Sequence, residues 1–210
     1  MSLEHGPSGP QPEKKEKFKH YKAIVVSPGY ENNDHRTGLA WDNRLREIAA
    51  AELFKAGKAE RVVVGGAKIR EMKESLAELM KKELIKRGVP AAQIDTEEHT
   101  FDTPSQIDWI QQHIGQYNDS VGFVTDPEQA KHVKALLKGF KLGDKVDILT
   151  DEDIIREYVK NPRVDVLFKK LHETKYWKNW KLREKILELL TQYLDPKGKL
   201  IQKVTGRRKK

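Results

Sequence analysis

Arg61-Val62-Val63-Val64-Gly65-Gly66 decides how this 210-residue chain is read. Three consecutive valines suit a short strand buried on both faces, and the two glycines that end it let the backbone turn sharply or come close to a ligand. Ala23-Ile24-Val25-Val26 is a second run of this kind, and it ends in Ser27-Pro28-Gly29. Two apolar strands opening into small-residue loops fit an open α/β sheet, which takes its ligands at the carboxyl ends of its strands.

Working outward, the pattern predicts strand 21–27, a polar loop 28–38, and a helix over 39–56 with Leu45, Ile48, Ala49 and Leu53 at helical spacing. Gly57 stops that helix. After strand 61–64, a helix is expected over 68–87, carrying Met72, Leu76, Leu79, Met80 and Leu84 and closed by Gly88-Val89-Pro90. A short strand 93–97, a polar turn 99–103 and a helix opened by Pro104 follow. Strand 121–125, a helix from Pro127 to 139 and strand 146–149 complete the alternation. The expected fold is a Rossmann-like three-layer αβα domain over 21–151, with a mainly parallel sheet. Residues 152–200 read as a helical extension ending in one long helix that contains Trp177, Trp180, Leu182, Ile186, Leu189, Leu190 and Tyr193. Residues 1–20 are expected to be a disordered tail, rich in Pro and Lys and without apolar periodicity, and 201–210 a basic tail.

Composition narrows the chemistry. Charged residues make up 34% of the chain and hydrophobic types 37%. No apolar run approaches the roughly 20 residues that span a bilayer, and the N-terminus lacks the apolar stretch of a secretory signal, so a cytoplasmic location is expected. Cysteine is absent, which excludes disulfides, thiol catalysis and Cys-ligated zinc. The net charge of +8 favours phosphate-bearing partners. Strong clustering occurs only at Gly206-Arg207-Arg208-Lys209-Lys210, where nucleic acid is the partner to consider.

The order and spacing of these pieces over residues 21–150 resemble the YdcF/SanA/ElyC-like family, domain of unknown function 218. The family's arginine before an A-x-x-L-aromatic helix is matched by Arg46, Ala50, Leu53 and Phe54. Its Ser-Gly-Gly strand end is matched by Val64-Gly65-Gly66, and its Gly-Val-Pro helix end by Gly88-Val89-Pro90. Against the family's E-x-x-S-x-N-T-x-E-N, this chain sets Glu97, Thr100, Asp102, Thr103, Ser105 and Gln106. Against V-T-S-x-x-H-x-x-R it sets Val124-Thr125, then Asp126, Gln129 and His132. A glutamate usual at the start of the second helix is Leu76 here. The resemblance implies a Rossmann-like fold and nucleotide-type ligands, with no settled reaction and the cofactor left open. Gln129 in place of His removes a titratable base, and His132 in place of Arg removes a permanent cation.

The candidate ligand-binding residues are Ser27, Gly29, Arg46, Gly65, Gly66, Thr103, Thr125, Gln129 and His132. The Gly65 and Gly66 amides suit either a phosphate cradle or a tight strand-to-helix turn. The resemblance points Arg46 toward the site, where a guanidinium can clasp phosphate with two bonds; a salt bridge to Asp42 or Glu47 is the alternative. Asp102 and Asp126 are the catalytic candidates for a proton or metal, and each also fits the N-cap of a helix opened by proline. Glu31, Asp34, His35 and Arg36 form a charged loop without the helical H-x-x-x-H or H-E-x-x-H geometry of a metal site, so no metal is assigned. Tyr176, Trp177 and Trp180 interleave with Lys175, Lys178 and Lys181. That mixture suits either base stacking or, preferably, aromatics docked on the domain with lysines outside.

Overall fold

The computed structural model describes residues 17–28, 41–68 and 72–206. Gly29, the loop residues Glu31, Asp34, His35 and Arg36, the first sixteen residues and residues 207–210 lie outside the described residues.

Strands β1 (Tyr21–Val26), β2 (Ala59–Gly65), β3 (Ile94–Glu97), β4 (Val121–Thr125) and β5 (Val146–Thr150) form one sheet. Its order is β3-β2-β1-β4-β5 and every neighbouring pair is parallel. The chain runs outward from β1 to β3, returns to the centre and runs outward again through β4 and β5. Between β1 and β4 the order reverses, and such a switch point is where open α/β sheets form their crevice. Register sets Val26 beside Val64 and Val124, Gly65 beside Glu97, and Thr125 beside Thr150, so the strands end along one rim.

Helices α1 (Trp41–Lys55), α2 (Leu76–Lys86), α3 (Thr103–His113), α4 (Pro127–Gly139) and α5 (Asp151–Tyr158) cover both faces. Alternate strand residues point to opposite faces. Ile24, Val26, Val62 and Val64 join Leu53, Met80, Leu84 and Ile154 in one core layer. Ala23, Val25, Val63 and Phe123 join Ile107, Ile110, Val133 and Leu136 in the other. The fold is therefore the three-layer Rossmann-like α/β arrangement that the apolar runs imply.

Helix α2 starts later than expected. It begins at Leu76, not near Lys68, because Ser75 caps it by accepting a hydrogen bond from the Glu78 N–H at 3.0 Å. The carbonyl of Gly66 accepts from the Ala77 N–H at 3.0 Å, satisfying another first-turn donor. The apolar residue Met72 lies before the helix.

The C-terminal region is several helices rather than one. α5 ends at Tyr158, α6 spans Arg163–Glu173, α7 spans Lys175–Tyr193 and α8 spans Lys199–Gly206. Thr174 separates α6 from α7, its hydroxyl accepting from the Trp177 N–H at 3.2 Å. The Asp195 carboxylate opens α8 by accepting from the N–H groups of Lys199 and Leu200, at 2.9 and 2.6 Å. Hence the expected basic tail is helical as far as Gly206. α5 packs on α1, α7 on α4 and α8 on α3, so the extension is seated on the sheet domain.

Glu47 of α1 is fully buried, and neither carboxyl oxygen has a hydrogen-bond partner. Burial pushes its pKa up to about 8, against the opposing pull of Arg87. The unfolded carboxyl titrates near 4.5, so between these values the native state holds more protons than the unfolded chain. Stability must fall as pH rises through that window, by at most about 1.4 kcal/mol per pH unit. Glu47→Gln is expected to flatten this fall in urea melts taken between about pH 5 and about pH 9; equal slopes in both proteins would contradict it.

Candidate functional site at the carboxyl ends of the strands

Buried polar side chains collect where the strands end. Ser27 follows β1, Glu97 and Thr125 close β3 and β4, and Asp126 and Asp151 follow β4 and β5; all are buried. Their centre is Arg46, which reaches from α1 to the switch point and is inaccessible to solvent. Its Nη1 donates to the Ser27 carbonyl at 2.9 Å and its Nη2 to Asp126 Oδ2 at 2.5 Å. Among the described residues the ion pair of this cation is with Asp126; Glu47 makes no hydrogen bond to it, and the Asp42 side chain lies outside the described residues.

Asp126 does three jobs. As the N-cap of α4, its Oδ1 accepts from the N–H groups of Glu128 and Gln129, both at 2.9 Å. It pairs with Arg46, and it accepts the Trp180 indole N–H, whose nitrogen lies 3.2 Å and 3.3 Å from its two oxygens. This multiple hydrogen bonding compensates a carboxylate for the loss of water. Close by, burial holds the Asp151 carboxyl well above the usual carboxylate range; Arg46 pulls it down and Asp126 pushes it up. Asp151 therefore takes up a proton more readily than an exposed carboxyl does.

A second chain of bonds ties α4 to α3. Gln129 accepts from the Thr125 hydroxyl at 2.5 Å and donates through Nε2 to Thr103 Oγ1 at 2.8 Å. One turn farther, His132 Nδ1 lies 3.2 Å from Glu184 Oε2 on α7, both side chains buried, and His132 Nε2 has no hydrogen-bond partner. Asp102 caps α3, accepting from the Ser105 N–H at 2.8 Å while the Ser105 hydroxyl accepts from the Asp102 N–H at 3.2 Å.

The glycines are committed to backbone geometry. Gly66 has φ +135°, its N–H donates to the Glu97 carbonyl at 2.8 Å, and a Cβ there would sit 2.8 Å from Leu76 Cβ. At Gly65 a Cβ would lie 2.8 Å from Gln106 Nε2, so the glycine makes room for that amide. Gln106 is buried, and neither end of its amide has a hydrogen-bond partner.

The structure thus gathers Ser27, Arg46, Thr125, Asp126, Gln129 and Thr103 into one hydrogen-bonded rim, places His132 one turn farther along α4, and sets Gly65 and Gly66 beside the rim at the end of β2. Asp151, Trp180 and Glu184 complete it without having been singled out as site residues. Trp177, Trp180, Glu184 and Thr191 are the buried face of α7. The spacing of Glu184 from Trp177 and Trp180 was the available signal, obscured by the greater number of apolar residues elsewhere on that helix. Trp177 and Trp180 dock inward, while Lys175, Lys178 and Lys181 are exposed. Among the described residues, no group of three or more His, Asp or Glu side chains is placed to hold a metal ion, and no described helix is long and apolar enough to cross a membrane.

Removing one partner of a buried ion pair strands the other. Arg46→Met is expected to cost about 3–5 kcal/mol in chemical denaturation, with a substantial part recovered when Asp126→Asn is added. Additive single effects would show that the pair is not coupled. No protein-family model, curated protein or solved structure matches the chain.

Proposed function

We propose that this chain is a YdcF-like α/β domain that binds a phosphate-bearing small molecule, nucleotide-like or sugar-phosphate-like, at the carboxyl ends of its strands. The observation that carries the reading is the Arg46 guanidinium held at the β1/β4 switch point amid polar side chains from four strand ends. A buried cation paired with Asp126 fixes the polar rim in place at the switch point, where open α/β sheets take their ligands. The unpartnered Gln106 amide beside Gly65 adds a donor and an acceptor for a ligand's polar edge.

Binding without turnover is the version that the side chains favour. Asp102 is engaged as a helix cap and Asp126 is saturated by Arg46, two backbone N–H groups and Trp180. Neither carboxylate is disposed to carry a proton or a metal in phosphate transfer or hydrolysis. Recognition of a metabolite needs no such group.

A thermal-shift screen of nucleotides, S-adenosylmethionine and sugar phosphates tests the proposal. A phosphate-bearing ligand is expected to raise the wild-type midpoint, since ligand at about 100 times its Kd adds roughly 2.7 kcal/mol of stability. Arg46→Lys, which keeps the charge but loses the planar fork, should shrink the ligand-induced shift. No shift with any compound at millimolar concentration would sink the reading.

A further inference from the structure

Helix α7 is apolar on two opposite sides. Its inner side, Trp177, Trp180, Glu184 and Thr191, is buried against the domain. Its outer side carries Leu182, Ile186, Leu189 and Tyr193, which are 61%, 50%, 47% and 71% exposed. Successive steps of four, three and four residues put these four in a straight line, the a/d seam by which one helix packs on another. At about 100° per residue, that line falls opposite Trp177 and Trp180. Leu190 and Leu194, 37% and 71% exposed, widen it at its carboxyl end.

We propose that this seam docks an amphipathic helix of a partner protein whose apolar stripe is bordered by acidic side chains. Charge complementarity selects this occupant. Lys178 and Lys185 are exposed along one edge of the seam, and Lys197 and Lys199 are exposed just beyond its end. The only acidic residue of α7 besides the buried Glu184 is Glu188, which is half-buried and lies toward the inner side. A second copy of this chain would bring the same cationic border against itself. The N-terminal sixteen residues offer Met1 and Leu3 as their only large apolar side chains, too few to cover the seam. A nucleic acid would match the lysines and leave the leucines without a partner. A line this narrow suits a helix better than a bilayer surface, which favours a broad apolar face.

The test uses the full chain and two synthetic two-heptad peptides with the same Leu/Ile stripe, one bordered by Glu and one by Lys. Fluorescence anisotropy is expected to show micromolar binding of the Glu peptide and at least about tenfold weaker binding of the Lys peptide. An Ile186→Ser, Leu189→Ser variant should lose at least about tenfold in affinity with its melting midpoint little changed, because both positions are exposed. Equal binding of the Glu peptide by wild type and variant would overturn the proposal, as would its failure to bind at about 100 μM. A wild-type dimer in analytical ultracentrifugation that the double serine variant dissociates would assign the seam to a second copy and also overturn it. So would displacement of the Glu peptide by a short single-stranded oligonucleotide that the same two serines release.

Discussion

The polar rim at the carboxyl ends of the strands is organised around one buried ion pair, Arg46 with Asp126. Both side chains are essentially inaccessible to water, at 0% and 1% exposure, so each would be costly alone. What makes the pair tolerable is the hydrogen bonding around it, above all at Asp126. The Ser27 carbonyl takes one arm of Arg46, while two α4 amides and the Trp180 indole occupy the remaining capacity of Asp126. These bonds connect the end of β1, helix α1, the start of α4 and helix α7. A buried pair of this kind contributes little net stability compared with apolar packing, but it disfavours any arrangement in which one charge lacks the other.

This constraint shapes what the rim can do. A charge pair closed by an indole is poorly suited to deliver or accept a proton, whereas it holds the strand ends and helix starts around it in fixed positions. Burial shifts the nearby Asp151 carboxyl towards its neutral form, which lowers its share of the negative charge at the rim. On the other side of α7, the exposed seam needs a helix that is fixed in place, and the Trp180 and Glu184 contacts fix it.

Much of this architecture was legible in the chain. The valine runs, the prolines at 104 and 127 and the glycine at 88 mark strands and helix ends through local physics that tertiary structure did not override. The start of α2 was not legible, because Met72 continues the apolar spacing past Ser75 and periodicity cannot see a cap that depends on loop carbonyls. On α7 the inward docking of Trp177 and Trp180 was legible, but the exposure of the leucines was not. Leucines outnumber tryptophans there, but the domain selects the face with the two large aromatics, which bury more area per residue and leave the leucines outside. Arg46 and Asp126 were each singled out in the sequence, whereas their pairing was not, since they lie 80 residues apart and only the parallel β1/β4 pairing brings the two together.

Native-state hydrogen exchange of the wild-type chain tests most directly whether the ion pair joins the C-terminal helices to the sheet. The amides of α7 around Trp180 should exchange with the same opening free energy and denaturant dependence as those of β1 and β4, because all belong to one cooperative unit. Exchange of α7 through a low-energy local opening, while β1 and β4 keep full protection, would contradict this account.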